Sequence, residues 1–206
     1  MYTYLALGDS YTIGEQVPPA DSFPFQTVEL LNKYISASNN NNKSFANPLI
    51  IARTGWTSDE LNAAIGSTEN LQQYDFVSLL VGVNDQYRNR NISLFKDDFD
   101  TLIQRAIGFA FNKPTHVFVL SIPDWGVTPF ADGKDKKKIA SEIDSYNNLC
   151  ESAALHFHTN YINITTSQRP DGHLSAYLAA DMLHPSGKEY AKWARALAGQ
   201  IIKEIQ

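Results

Sequence analysis

The chain has 206 residues, which at about 150 residues per domain fits a single compact domain. Hydrophobic residues make up 43% and charged residues 19%, the usage of ordinary soluble domains, so a disordered or collagen-like chain is excluded. Lys+Arg 17 against Asp+Glu 22 leaves a net charge of −5 and no positive field to draw nucleic acid, and the one cysteine, Cys150, excludes an internal disulfide or a cysteine-based zinc cluster.

Residues 2–7 form a β-favouring run that stops at Gly8-Asp9-Ser10, a turn and helix-entry cluster, and read as the first strand. Residues 22–35 carry Phe25, Val28, Leu31 and Ile35 at helical spacing, which predicts a crossover helix. The serine- and asparagine-only stretch at 38–42 has nothing to bury and reads as an exposed connection. Strand two is expected at 45–52, at or near a sheet edge because Pro48 cannot donate to a ladder. A short helix follows at 58–65, with Ser58 as cap and Leu61 and Ile65 inward.

Residues 76–81 are almost continuously apolar up to Gly82, as a strand covered on both faces requires, and are placed at the sheet centre. Helical periodicity runs over 94–111 until Lys113-Pro114, and strand four is expected at 117–122. After a Pro/Asp/Trp/Gly loop, a long helix is expected at 138–157, strand five at 161–164 and a closing amphipathic helix at 186–205. Strands alternating with helices imply right-handed βαβ units and a three-layer α/β/α sandwich of flavodoxin-like type with a mostly parallel five-stranded sheet. No apolar run reaches the ~18–20 residues of a membrane span, and no basic-then-apolar leader follows Met1, so the sequence reads as cytoplasmic.

In such a sheet, ligands bind beyond the carboxyl ends of the strands where strand order reverses. Three polar loops fall there: Gly8-Asp9-Ser10-Tyr11-Thr12, Arg53-Thr54-Gly55-Trp56 and Gly82-Val83-Asn84-Asp85. A fourth segment, Asp181-Met182-Leu183-His184, spaces a carboxylate and an imidazole three apart, one face of a helical turn, so that the one can orient the other. Each pattern alone is common, but the four in this order resemble the blocks of the SGNH, or GDSL, hydrolase family over nearly the whole chain.

By that resemblance Ser10 is the nucleophile, His184 the general base, Asp181 its orienting acid, and the Ser10 and Gly55 N–H groups with the Asn84 amide form an oxyanion hole. The implied activity is that of a cofactor-independent serine esterase acting on short-chain acyl esters or lysophospholipids, with a small-molecule ester as partner. The family also includes carbohydrate deacetylases and acyltransferases, and a non-catalytic domain on this fold would hold a ligand in the same loops without acylating Ser10. Tyr11 stands where the best-known form of the first block has leucine, which alters the pocket wall. The residues themselves agree with the analogy, since ester hydrolysis needs an activated hydroxyl, a base and donors for the developing oxyanion.

Other signals weigh less. Trp56, Tyr87, Trp125 and Phe130 are candidate walls of an acyl pocket. Gly82 reads as a backbone position needing positive φ, and Asp85 as structural. His116, His156, His158 and His173 lack a motif partner, and the 156/158 pair lacks the further ligands of a metal site, so no metal is expected. The Gly-x-Gly-x-x-Gly, phosphate-loop and Gly-x-Ser-x-Gly patterns are absent. Lys134 and Lys136-Lys137-Lys138 read as a solvated helix start, and the Asn-x-Ser/Thr triplets at Asn42, Asn91 and Asn163 as chance in an asparagine-rich chain.

Overall fold

A computed structural model describes residues 1–38, 43–68 and 71–206; the expected connection at 38–42 lies outside them from residue 39 on, and so does Asn42 of the first triplet. Five strands, β1 (Tyr4–Gly8), β2 (Leu49–Ala52), β3 (Phe76–Leu80), β4 (Val117–Leu120) and β5 (Asn160–Ile162), pair in the order β2-β1-β3-β4-β5, all parallel. Among the described residues eight α-helices surround them: α1 (Ser10–Ile13), α2 (Phe23–Ala37), α3 (Ser58–Ser67), α4 (Val83–Tyr87), α5 (Ile92–Phe109), α6 (Lys136–His156), α7 (Thr165–Gln168) and α8 (Gly187–Ile205). The central strand is β3, buried along its whole length, and β2 is an edge strand, both as the composition of their segments required.

Helix α2 packs on α8, and α3, α5 and α6 pack in a row, giving the layers of the sandwich. Trp193 and Tyr190 of α8 meet edge to face at 5.1 Å, and Phe23 of α2 lies 6.2 Å from Trp193, all three fully buried. Full burial of one such side chain stabilises the fold by ~1.5–3 kcal/mol before its conformational entropy is set against it.

Element ends differ from the sequence expectation where side chains replace ladder partners. Strand two starts at Leu49, because Phe45 makes only an isolated bridge to Tyr2 and Pro48 has no N–H to continue the ladder. Strand four stops at Leu120: the Ser121 N–H still reaches Ile162 O, but the Ile122 N–H turns to the Asn147 carboxamide at 2.7 Å. Strand five stops at Ile162, and the Ile164 N–H goes to the Ser121 hydroxyl. Helices α5 and α6 begin two residues early, capped by Asn91 and Asp135. Lys136, Lys137 and Lys138 form the exposed first turn of α6.

The register decides where chemistry can sit. Gly8 pairs with Ala52 on one side and Leu80 on the other, so β2, β1 and β3 end level and release their loops side by side. The chain turns from β1 to β2 in one direction and crosses back to β3 in the other, which opens a crevice at the carboxyl ends of β1 and β3.

Candidate active site

Helix α1 begins directly after β1. Asp9 is its N-cap: it is fully buried, and its Oδ1 accepts from the Tyr11 N–H at 3.0 Å. The other oxygen, Oδ2, has no hydrogen-bond partner. Burial pushes the Asp9 carboxyl up to about 8, with the Tyr11 N–H pulling against it and Asp85 adding to the rise. Ser10 is therefore the first residue of a capped helical turn, where a backbone N–H has no acceptor within the helix and points out of its N-terminus.

The segment 181–184 carries the imidazole to this hydroxyl. Asp181 Oδ1 accepts from the N–H groups of Leu183 at 3.0 Å and His184 at 2.9 Å, and its Oδ2 lies 2.5 Å from His184 Nδ1. The His184 carbonyl is held by the Ala179 N–H at 2.8 Å. Partial burial opposes the charged form of Asp181, but the hydrogen bonds from His184 and Leu183 outweigh it and hold its carboxyl below the usual range. An ionised carboxylate only accepts, so Nδ1 carries the ring proton and the lone pair of Nε2 faces Ser10 Oγ, 3.0 Å away. The three-residue spacing expected a helical turn here; the structure instead has a non-helical turn closed by the Asp181 carboxylate, with Met182 at φ 59°. Spacing does bring the two side chains together, but the carboxylate's grip on two backbone N–H groups sets the geometry.

Two loops complete the opening. Gly55 follows β2 at φ 85° and Gly82 precedes α4 at φ 129°, both in the left-handed region that favours glycine. At Gly82 a Cβ would also sit 2.6 Å from Ile122 and 2.8 Å from Phe95. Asn84, on the first turn of α4, lines the crevice and donates one amide hydrogen from Nδ2 to Trp56 O at 3.0 Å; its second has no acceptor among the described residues. Asp85 is buried and turned away: it accepts from the Ser58 N–H and hydroxyl and from Arg90. Burial raises its carboxyl, with the bonds from Arg90 and Ser58 opposing the rise.

Ser10, Gly55, Asn84 and His184 line one cavity of about 210 Å³ with Tyr11, Thr54, Val83, Tyr87, Trp125, Phe130 and Leu183. Trp125 is its buried wall, its indole N–H held by Gln86 Oε1 at 2.8 Å, and its ring meets Tyr87 at 5.3 Å and Phe130 at 6.1 Å. Tyr11, nearly buried, lies 5.5 Å from the His184 ring and so backs the imidazole as well as the wall. Of the residues singled out in the sequence, Trp56 does not line the cavity; its ring packs on the core and its contribution is the carbonyl that holds Asn84. Sequence reasoning passed over Val83 and Leu183, although each adjoins a singled-out residue, and over Thr54, whose hydroxyl donates to Glu15. His116 stacks on Phe76 at 4.8 Å, far along β3 from this opening.

Among the described residues no helix is long and apolar enough to cross a membrane. No curated protein matches the chain in sequence. Solved structures do. The lipase/acylhydrolase from Enterococcus faecalis superposes with a TM-score of 0.72 at 19% identity, covering 98% of this chain and 95% of its own. Axe2, an acetylxylan esterase from Geobacillus stearothermophilus, superposes at 0.73 with 18% identity, covering 97% and 94%. LAE5, an alpha/beta hydrolase enzyme from the metagenome of Lake Arreo in Spain, gives 0.67 at 18%, covering 97% and 94%. At these identities the likeness is one of fold. The sequence model of one family matches residues 6–192, a span that holds both the Gly-Asp-Ser turn and the Asp181–His184 pair. The chain belongs to the GDSL-like lipase/acylhydrolase family.

Proposed function

We propose that this chain is a serine esterase that cleaves short-chain carboxylic esters through an acyl-enzyme on Ser10. The observation that carries this reading is the unbroken line Asp181–His184–Ser10, with contacts of 2.5 and 3.0 Å, opening onto an apolar cavity. His184 Nε2 takes the Ser10 proton as Oγ attacks the ester carbonyl, and Asp181 stabilises the imidazolium without taking its proton. The negative oxygen of the tetrahedral intermediate is held by the Ser10 and Gly55 N–H groups and the free Asn84 amide hydrogen. The imidazolium returns its proton to the departing alkoxide, and a water, deprotonated by the same nitrogen, cleaves the acyl-enzyme.

The cavity argues for acyl length. At about 210 Å³ it lies below the ~300–1,000 Å³ of sites that enclose drug-sized ligands, so it suits a short acyl group against Trp125 better than a long chain. Tyr87 and Phe130, 48% and 42% exposed, stand at its mouth, where they can cover the alcohol part of the ester. Turnover of p-nitrophenyl esters from two to twelve acyl carbons, with acetylated sugars as a further arm, tests the reading. The expected result is a maximum of kcat/KM at short chains and none with Ser10→Ala. An inert wild type that binds ligand would make the chain a binding domain.

A further inference from the structure

We infer that Arg88 is a positioning residue that holds the Gly55 oxyanion donor in its productive orientation, an inference that rests on the esterase reading. Arg88 caps the carboxyl end of α4, four residues after Asn84, and its Nη2 donates to Gly55 O at 2.6 Å. Its Nη1 faces both carboxylate oxygens of Glu60, at 3.3 and 3.4 Å, so the guanidinium is fixed from a second direction by α3. Asn84 takes the next carbonyl, Trp56 O, at 3.0 Å. Two successive carbonyls of one loop are thus tied to residues four apart on one helix.

The loop needs those ties. Gly55 sits at φ 85°, and glycine crosses between backbone basins more freely than any other residue, so the direction of its own N–H is not secured by its side chain. Pinning the Gly55 carbonyl fixes the 55–56 peptide on one side of the glycine, so the 54–55 peptide that carries the Gly55 N–H keeps fewer ways to turn. Arg88 is absent from the cavity lining, so it does this without touching substrate. Its side chain is 49% exposed and that of Glu60 43%, an exposed pair of the kind that contributes little to global stability. A structural role and a positioning role therefore make different forecasts.

A misplaced catalytic group costs up to ~10²-fold in rate, while loss of an oxyanion donor costs ~10²–10³. With the Asn84 tie still in place, Arg88→Ala is expected to lower kcat by ~10-fold or more with KM within about twofold. Binding of phenylboronic acid, whose serine adduct places an anionic oxygen in the hole, should weaken by the same factor as kcat/KM falls. The melting temperature should shift by ~2 °C or less. Arg88→Lys offers one point charge where a fork spans Gly55 O and Glu60, and should fall between wild type and alanine. The N-cap of α3 is Thr57 rather than the expected Ser58, and the Thr57 N–H donates to Glu60 Oε2 at 2.9 Å. Glu60→Gln keeps an acceptor there, loosens Arg88 and should show a smaller loss of kcat, and these two variants carry the test if Arg88→Ala does not fold. Unchanged kcat and boronate affinity in all three, in a protein whose wild type turns over esters, overturns the Arg88 inference alone. Failure of the wild type to hydrolyse any ester overturns the esterase reading and this inference with it.

Discussion

Replacing Asp181 by asparagine changes one atom and one charge, and the surroundings of that side chain dictate the consequence for the imidazole. Oδ1 already accepts from two backbone N–H groups, Leu183 at 3.0 Å and His184 at 2.9 Å, so the asparagine oxygen must take that place. The amide NH2 is then forced toward His184 Nδ1, where the carboxylate Oδ2 stood at 2.5 Å. An NH2 only donates, so Nδ1 must become the acceptor and the ring proton moves to Nε2, the nitrogen 3.0 Å from Ser10 Oγ. A protonated Nε2 cannot receive the serine proton. A histidine held in the wrong tautomer by this substitution lowers kcat by ~10⁴ in serine-protease triads, about 5 kcal/mol of barrier. Asp181→Asn is therefore expected to lose ~10⁴-fold in kcat with p-nitrophenyl acetate at neutral pH while the turn at 181–184 keeps its backbone bonds and the melting temperature barely moves. Activity within tenfold of wild type would refute the assigned proton position.

Asn84→Ala should lower kcat by ~10²–10³ in a folded protein, read from steady-state kinetics beside a thermal melt. Asp9→Asn keeps an acceptor for the Tyr11 N–H and removes an ionisation. Burial pushes the Asp9 carboxyl up to about 8 in the folded chain against 3.8 in the open chain, so its neutral form stabilises fully below the lower value and that contribution is lost as pH rises through the upper one. The variant should gain on wild type by up to ~1.4 kcal/mol per pH unit between those values in urea melts, and parallel curves would exclude a neutral buried carboxyl. Gly82→Ala combines φ 129° with Cβ contacts of 2.6 and 2.8 Å, and should destabilise by ~3 kcal/mol or more.

Much of the arrangement was legible in the chain because it follows from local chemistry. The apolar run 76–81 holds the buried central strand, which ends one residue earlier at Leu80, and Pro48 marks the edge. Strand ends were less legible because their last N–H groups turn to distant side chains: Ile122 to Asn147 and Ile164 to Ser121 are contacts 25 and 43 residues apart. The turn at Met182 was misread as helical because nothing in a methionine announces a left-handed backbone; the competing carboxylate bonds of Asp181 appear only once the turn is folded. Trp56 and Trp125 carry similar local signals, yet only the latter lines the cavity, since a strand-end aromatic faces core or cleft according to tertiary packing. Arg88 likewise offers no signal: an exposed arginine on a short helix becomes notable only when its partner is seen to be the Gly55 carbonyl.

The most direct measurement is peptide mapping by mass spectrometry after exposure to a fluorophosphonate, in wild type and in His184→Ala. One adduct is expected on the Ser10 hydroxyl in the wild type, with ester turnover falling in step with its formation, and labelling is expected to slow by orders of magnitude in the variant. An adduct on another residue, or full ester turnover with Ser10 unmodified, would contradict the assignment of Ser10 as the nucleophile.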